Sequence, residues 1–227
     1  MSVKALYQYL EFLKISGIQD VFVKMPFPEY RENSNTKLDK QKVLEELSQK
    51  YATCQKCKLW EGRNRLVYGQ GNSDAGLMLI GEGPGAEEDR TGQAFVGRAG
   101  QLLTKMLKAI DLEREEVFIG NIVKCRPPGN RDPQEAERRT CLPYLLEQIE
   151  IIQPQILLLL GKVAGNTILN TDLALGRMRE QVFDFQGIPT YVTYHPSALL
   201  RHQEWKKPTW TDLQKVRDHY RNLPPKN

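Results

Sequence analysis

The chain has 227 residues, 40% hydrophobic and 26% charged, which supplies one substantial core and an ordinary soluble composition. Thirty-two basic against twenty-eight acidic side chains leave a formal charge of +4, a bias that permits a polyanionic partner without demanding one. The longest apolar run, Ile156 to Leu160, is far too short to cross a bilayer. With no lipidation signal and no charged-then-apolar leader, the expectation is a cytoplasmic protein with no membrane partner.

In chain order, Lys4 to Lys14 places Leu6, Leu10, Phe12 and Leu13 at helical spacing, and Met25 to Thr36 is polar and turn-rich. Residues 1–35 are therefore predicted to be an extension with a short helix and linker, and residues 36–227 the main domain. Leu38 to Tyr51 reads as a second helix that delivers Cys54 and Cys57. Short apolar runs then alternate with amphipathic stretches. Strands are predicted over Leu77–Ile80, Val117–Val123, Gln155–Leu160 and Thr190–Tyr194. Helices are predicted over Ala99–Ile110, Asp132–Ile152 with Asp132 as N-cap and Pro133 at the first helical position, Lys162–Leu169 and Pro208–Tyr220. Such alternation implies an α/β fold, a central four-stranded parallel sheet in a three-layer α/β/α arrangement, with ligands at the carboxyl ends of the strands.

The only four cysteines stand as Cys54-x-x-Cys57, Cys125 and Cys141. Two thiolates at the short spacing can chelate from one turn, and the later two can complete a four-sulfur shell. A pair of disulfides suits a small secreted domain better than this chain. Zinc and a [4Fe-4S] cluster both fit the count; the wide separation of Cys125 from Cys141 leans toward iron-sulfur.

Three strand ends carry unusual residues. The first runs into Gly81-Glu82-Gly83-Pro84-Gly85 and on through Glu87-Glu88-Asp89 to Phe95-Val96-Gly97. Closely spaced glycines let backbone amides approach a ligand, whereas the carboxylates and the lack of Gly-Lys-Ser/Thr argue against a phosphate cradle. The plainer reading, an acidic solvated loop, leaves the glycine spacing unexplained. The second strand carries Asn121, followed by Cys125-Arg126-Pro127-Pro128-Gly129-Asn130-Arg131. The fourth ends at His195-Pro196-Ser197-Ala198-Leu199-Leu200-Arg201, an apolar tip closed by Arg that can enter a DNA helix. His202 and His219 lack such a context.

These motifs, in this order and with the four cysteines, resemble the family 4, iron-sulfur uracil-DNA glycosylases over about Tyr51 to Tyr220. The resemblance implies hydrolysis of the bond between deoxyribose and uracil in DNA, leaving an abasic site in base excision repair, after the base is flipped into a pocket. It further implies that Phe95 stacks on uracil, Asn121 reads its Watson-Crick edge, and His195 and the Gly83–Gly85 amides stabilise the leaving anion. The best-known uracil glycosylases carry a water-orienting Asp where Gly83 stands here. Glu82, Glu88 and Asn130 are the candidates for that task, Glu88 foremost because a carboxylate can both position water and balance an oxocarbenium-like sugar. Ser197, Leu199, Leu200 and Arg201 correspond to the loop that contacts DNA, with Leu as wedge and Arg201 on a phosphate. Arg126, Arg131, Arg138 and Arg139 add basic groups. The resemblance makes Cys54, Cys57, Cys125 and Cys141 the ligands of a structural [4Fe-4S] cluster, with no catalytic metal.

The implied partner is uracil-containing DNA, double- or single-stranded, with a sliding clamp or repair proteins as further candidates and a monomeric, nucleoid-associated enzyme as the expected state. Two other readings compete. One is a relative that cross-links covalently to DNA, for which the Gly129–Pro133 stretch lacks the basic insert. The other is a catalytically silent iron-sulfur DNA-binding module of the same fold, against which Phe95, Asn121 and His195 argue.

Overall fold

The computed structural model describes residues 39–224 and residue 226. The expected helix over Lys4–Lys14, the polar stretch Met25–Thr36 and the boundary near residue 35 lie outside the described residues. Helix α1 (Lys40–Tyr51) opens under an Asp39 cap, whose Oδ1 accepts from Lys42 N at 3.1 Å. A 3-10 turn, Lys58–Gly62, follows the first cysteine pair.

The sheet is built from β1 (Gln70–Gly71), β2 (Leu77–Gly81), β3 (Phe118–Asn121), β4 (Ile156–Leu160), β5 (Phe183–Phe185) and β6 (Ile188–Thr193), in the order β1-β3-β2-β4-β6-β5. The four inner strands are parallel, as the apolar runs predicted. Every residue of β2, β3 and β4 is buried, the signature of strands covered on both faces. Two antiparallel edge strands were not foreseen. The two-residue β1 pairs with β3, and β5 forms a hairpin with β6. Both residues of its tight turn, Gln186 and Gly187, have positive φ (56° and 85°).

Alternation along β2 splits the core. Leu77 and Leu79 face helices α3 (Arg98–Lys108) and α8 (Lys206–Arg221), while Met78 and Ile80 face α1, α4 (Glu135–Ile152) and α5 (Lys162–Leu169). The layering is α/β/α, as expected. Shorter helices are α2 (Ala86–Thr91), α6 (Leu175–Arg179) and α7 (Pro196–Leu199). Helix α4 corrects one expectation: it starts at Glu135, not Asp132, and the main-chain N–H of its N-cap Gln134 donates to Glu137 Oε2 at 2.7 Å. No described helix is long and apolar enough to cross a membrane.

Chain order and sheet order place the site. From β2 the chain moves to β3 on one side, then returns to β4 on the other, so a crevice opens at the carboxyl ends of these strands. The register sets Gly81 beside Asn121 and Leu160 beside Thr193 on that rim.

Candidate active site and four-cysteine centre

A cavity of about 450 Å3 lies at this rim, within the size range of small-ligand sites. Glu82, Gly83, Glu88, Phe95, Asn121, Asn130, His195, Ser197 and Arg201, all singled out in the sequence, line it together. Leu199 and Leu200 do not.

Phe95 is brought in by an unusual backbone. Its φ is 52°, in the left-handed region that costs a non-glycine residue about 1–3 kcal/mol, and two glycines make room for it. A Cβ on Gly81 would lie 2.5 Å from Phe95 Cζ and from Asn121 Oδ1, and one on Gly100 would collide with the Phe95 carbonyl. The turn is held by Glu88. Its Oε1 accepts from Val96 N (2.9 Å) and Gly97 N (2.8 Å), and its Oε2 from Gly85 N (3.1 Å). Glu88 is buried. The glycine-rich segment is thus no solvated acidic loop: Asp89 is buried as well, accepting from Asn64 N (2.9 Å) and Nδ2 (2.5 Å).

Two polar atoms at the cavity have no partner among the described residues although both are buried: Asn121 Oδ1 and His195 Nε2. Uncompensated burial of such atoms is costly, so each is open to a water or a ligand atom in the cavity. The tautomer of His195 follows from its cap. Ser197 N donates to Nδ1 at 3.2 Å, and Ser197 Oγ lies 2.8 Å from the same nitrogen. Nδ1 accepts, so the neutral ring carries its proton on Nε2. Burial, with the Arg201 charge adding, lowers the pKa of His195 to about 4, which keeps it neutral at pH 7. The Phe95 and His195 rings stand 5.5 Å apart, centre to centre.

Of the loop 83–85, Pro84 has no N–H and Gly85 N–H is engaged by Glu88. Gly83 N–H is the remaining donor. Glu82 differs from Glu88 in every respect that matters to chemistry. No hydrogen bond holds its carboxyl among the described residues, and burial first, then the Asp132 carboxylate, push its pKa up to about 7 against the opposing charge of Arg138. Asn130 also lines the cavity, with Oδ1 already accepting from Arg126 Nε at 2.8 Å.

The expected DNA tip needs a correction. Leu199 is 2% exposed and packs into the core, because α7 turns it inward. Leu200 is partly exposed and Arg201 exposed. His202, set aside in the sequence, stacks on Trp205 (4.1 Å), which stacks on Tyr194 (4.7 Å), and Arg179 Cζ lies over the Tyr194 ring at 4.4 Å. Tyr194 and Trp205 both line the cavity. His219 is tied to Tyr191 Oη at 2.8 Å. Arg131 is held by a bidentate pair with the buried Glu137 (2.8 and 2.7 Å).

The four cysteines come together elsewhere. Cys54, Cys57, Cys125 and Cys141 line a second cleft that shares no residue with the first, and none of them is in a disulfide. Hydrogen-bond donors point at the sulfurs. Arg63 Nη1 donates to Cys125 Sγ (3.3 Å) and to Cys54 O (2.7 Å), Lys124 N donates to Cys141 Sγ (3.3 Å), and Tyr144 Oη lies 3.2 Å from Cys54 Sγ. Burial pushes the Cys141 thiol up to about 12, so a metal must displace its proton on binding. Among the described residues no group of three or more His, Cys, Asp or Glu is arranged to hold a single metal ion. Four soft donors around one cleft, with N–H groups aimed at sulfur, fit a thiolate-bound cluster. Lys124 and Arg63 went unnoticed in the sequence; the adjacency of Lys124 to Cys125 was the only signal there.

A family model described as the uracil DNA glycosylase superfamily matches residues 68–214. Type-4 uracil-DNA glycosylases from Sulfurisphaera tokodaii and Saccharolobus solfataricus are each 42% identical to the chain, over 77% and 80% of its length and 84% and 88% of theirs. A third such relative, from Thermotoga maritima, is 39% identical over 78% of the chain and 95% of its own length.

Proposed function

The chain belongs to the uracil DNA glycosylase superfamily, and we propose that it hydrolyses the N-glycosidic bond of deoxyuridine in DNA, releasing uracil and leaving an abasic site. One observation carries this reading: Asn121 Oδ1 and His195 Nε2, both buried and unpartnered, share a cavity with the ring of Phe95. A flat ring with an N–H and carbonyls on its edge meets all three.

Uracil in a duplex must be flipped out to reach this cavity. Phe95 then gives it a stacking face. The Asn121 amide accepts from N3–H and donates to O4, a pattern that cytosine inverts, so a wrong base leaves buried groups unpaired. Glycosidic cleavage sends the C1′–N1 electron pair into the base. Charge that develops on O2 meets the neutral Nε2–H of His195, and Gly83 N–H supplies a second donor at the loop; such donors are typically worth about 3–4 kcal/mol each. A water oxygen bonds to C1′ as the base leaves. We assign the water's proton to Glu82, whose carboxyl is unengaged and titrates near neutrality, rather than to Glu88, whose oxygens already accept three backbone N–H groups. Asn130 Nδ2 can help to hold that water.

Cys54, Cys57, Cys125 and Cys141 would hold a [4Fe-4S] cluster, which fastens the 52–63 loop to β3 and α4 and takes no part in the chemistry. Leu200 and Arg201 are the proposed DNA wedge and phosphate contact, and the enzyme is proposed to act as a cytoplasmic monomer in base excision repair. The test is incubation with a uracil-containing oligonucleotide in the absence of magnesium, followed by alkali. Strand cleavage at uracil alone is expected. Binding without release of uracil would make the protein a silent DNA-binding module instead.

A further inference from the structure

Lys124 is the largest of the fully buried side chains among the described residues, 0% exposed, and it stands between the two sites. Its Nζ donates to the main-chain carbonyl of Asn121 (3.0 Å) and to Gln148 Oε1 (2.6 Å), and lies 5.7 Å from the Tyr68 ring centre. Gln148 is equally buried, and its Nε2 donates to Tyr68 O at 2.8 Å, which fixes the amide so that its oxygen faces the ammonium. These partners are all neutral. A buried ammonium without an anion is strongly unfavourable, so a nearby anion would stabilise it. Thiolates of the four-cysteine centre would supply that charge: Lys124 lines the sulfur cleft and precedes Cys125 in the chain, and its main-chain N–H donates to Cys141 Sγ at 3.3 Å.

We propose that Lys124 is a positioning residue, the buried counter-charge of the four-cysteine centre and the strut that links assembly of that centre to the aim of Asn121. The inference rests on the iron-sulfur and glycosylase reading above. With the thiolate centre in place, the ammonium is neutralised and clamps the Asn121–Lys124 turn through the Asn121 carbonyl. Without it the cation is uncompensated, and the turn that presents the base-reading amide loosens.

The test compares the wild-type holoprotein with Lys124→Met, which keeps length and removes charge. Loss of a nearby positive charge favours the oxidised cluster, so the midpoint potential should move to a more negative value. Iron loss to a chelator should quicken and single-turnover uracil release fall, each roughly tenfold or more, the usual effect of removing an outer partner of a metal site, while affinity for abasic DNA holds. A merely structural lysine would lower the melting temperature without moving the potential. A folded Lys124→Met with wild-type potential and iron retention overturns the proposal. Should the variant fail to fold, hydrogen exchange on the wild-type chain decides: stripping iron should expose the amides of residues 121–125 but not those of β4, and unchanged protection at 121–125 overturns it. A wild-type chain that binds no iron or releases no uracil fails the proposed function itself, which is read before any variant is compared.

Discussion

The Ser197 N–H directed at Nδ1 gives His195 its chemistry, because a ring so capped can be a neutral donor only through Nε2. Replacing His195 with Ala should slow single-turnover excision by roughly a hundredfold or more, the loss of one donor at developing charge, with little change in melting temperature; a destabilised variant with a near-wild-type rate would remove His195 from the mechanism. Glu82 sets a different dependence. Its folded pKa of about 7 lies above the ordinary carboxylate value of 4.5, so the base form grows as pH rises through neutrality and excision should rise between pH 6 and 8. The same shift has an opposite sign for stability. A carboxyl whose pKa is raised on folding destabilises the fold where it must ionise, above pH 7, and that cost fades as pH falls through the folded value. Glu82→Gln should therefore abolish the pH-dependent rate yet raise the melting temperature at pH 8 relative to pH 5. A variant less stable than wild type at pH 8 would show that Glu82 serves the fold. Asn121, Phe95 and His195 were legible in the sequence because they stand in motifs at strand ends. The sequence put Glu88 ahead of Glu82 for the water: both are acids in one glycine-rich loop, and only the fold brings three N–H groups to Glu88 and leaves Glu82 unengaged.

At the scale of elements, the site depends on how one carboxylate crosslinks two loops. Glu88 sits on α2 but holds Gly85 on one side and Val96 and Gly97 on the other, which keeps Phe95 in its left-handed conformation. Glu88→Ala should release that turn, lowering the melting temperature and weakening free-uracil inhibition together, while Glu88→Gln, which retains one acceptor, should lose less of both; a variant that loses rate with uracil affinity and stability intact would return the water to Glu88. The tip after His195 divides in the same way. Leu200→Ala should weaken binding to uracil-containing duplex, whereas Leu199→Ala should cost about 2–5 kcal/mol of stability, as for other core leucines. The four inner strands were legible as apolar runs because both faces are covered. The edge strands were not, since β1 spans two residues and β5 reads Phe183-Asp184-Phe185, only three residues with an exposed Asp at the centre. The start of α4 was misplaced because Asp132 and Pro133 look like an N-terminus, although Gln134 and Glu137 form the cap that is used.

Across the whole molecule, a single strand serves two sites that share no lining residue. Strand β3 ends in Asn121 at the strand-end cavity, and four residues later the chain reaches Cys125 in the sulfur cleft, with Cys141 arriving from α4. The convergence of Cys54-x-x-Cys57 with two distant cysteines on one cleft was legible. Its place on the flank of the sheet, apart from the strand-end rim, was not, because spacing carries no information about which face of β3 and α4 the thiols share. That separation makes the cluster's contribution measurable. Purified protein should be yellow-brown with about four irons per chain, as four thiolates around a cubane require; one zinc and no iron would overturn the assignment. In Cys54→Ala the 52–63 loop keeps the Arg63 hydrogen bonds to Ala52 O, Cys54 O and Cys125 Sγ and the buried Leu59 but loses one of the four thiolates, so iron content and melting temperature should fall together. No cysteine reaches the uracil cavity, so excision per folded molecule should drop by no more than about tenfold, the range of an indirect metal-site contact. A loss as large as that of His195→Ala, in protein whose melting temperature is unchanged, would place the cluster in the chemistry itself.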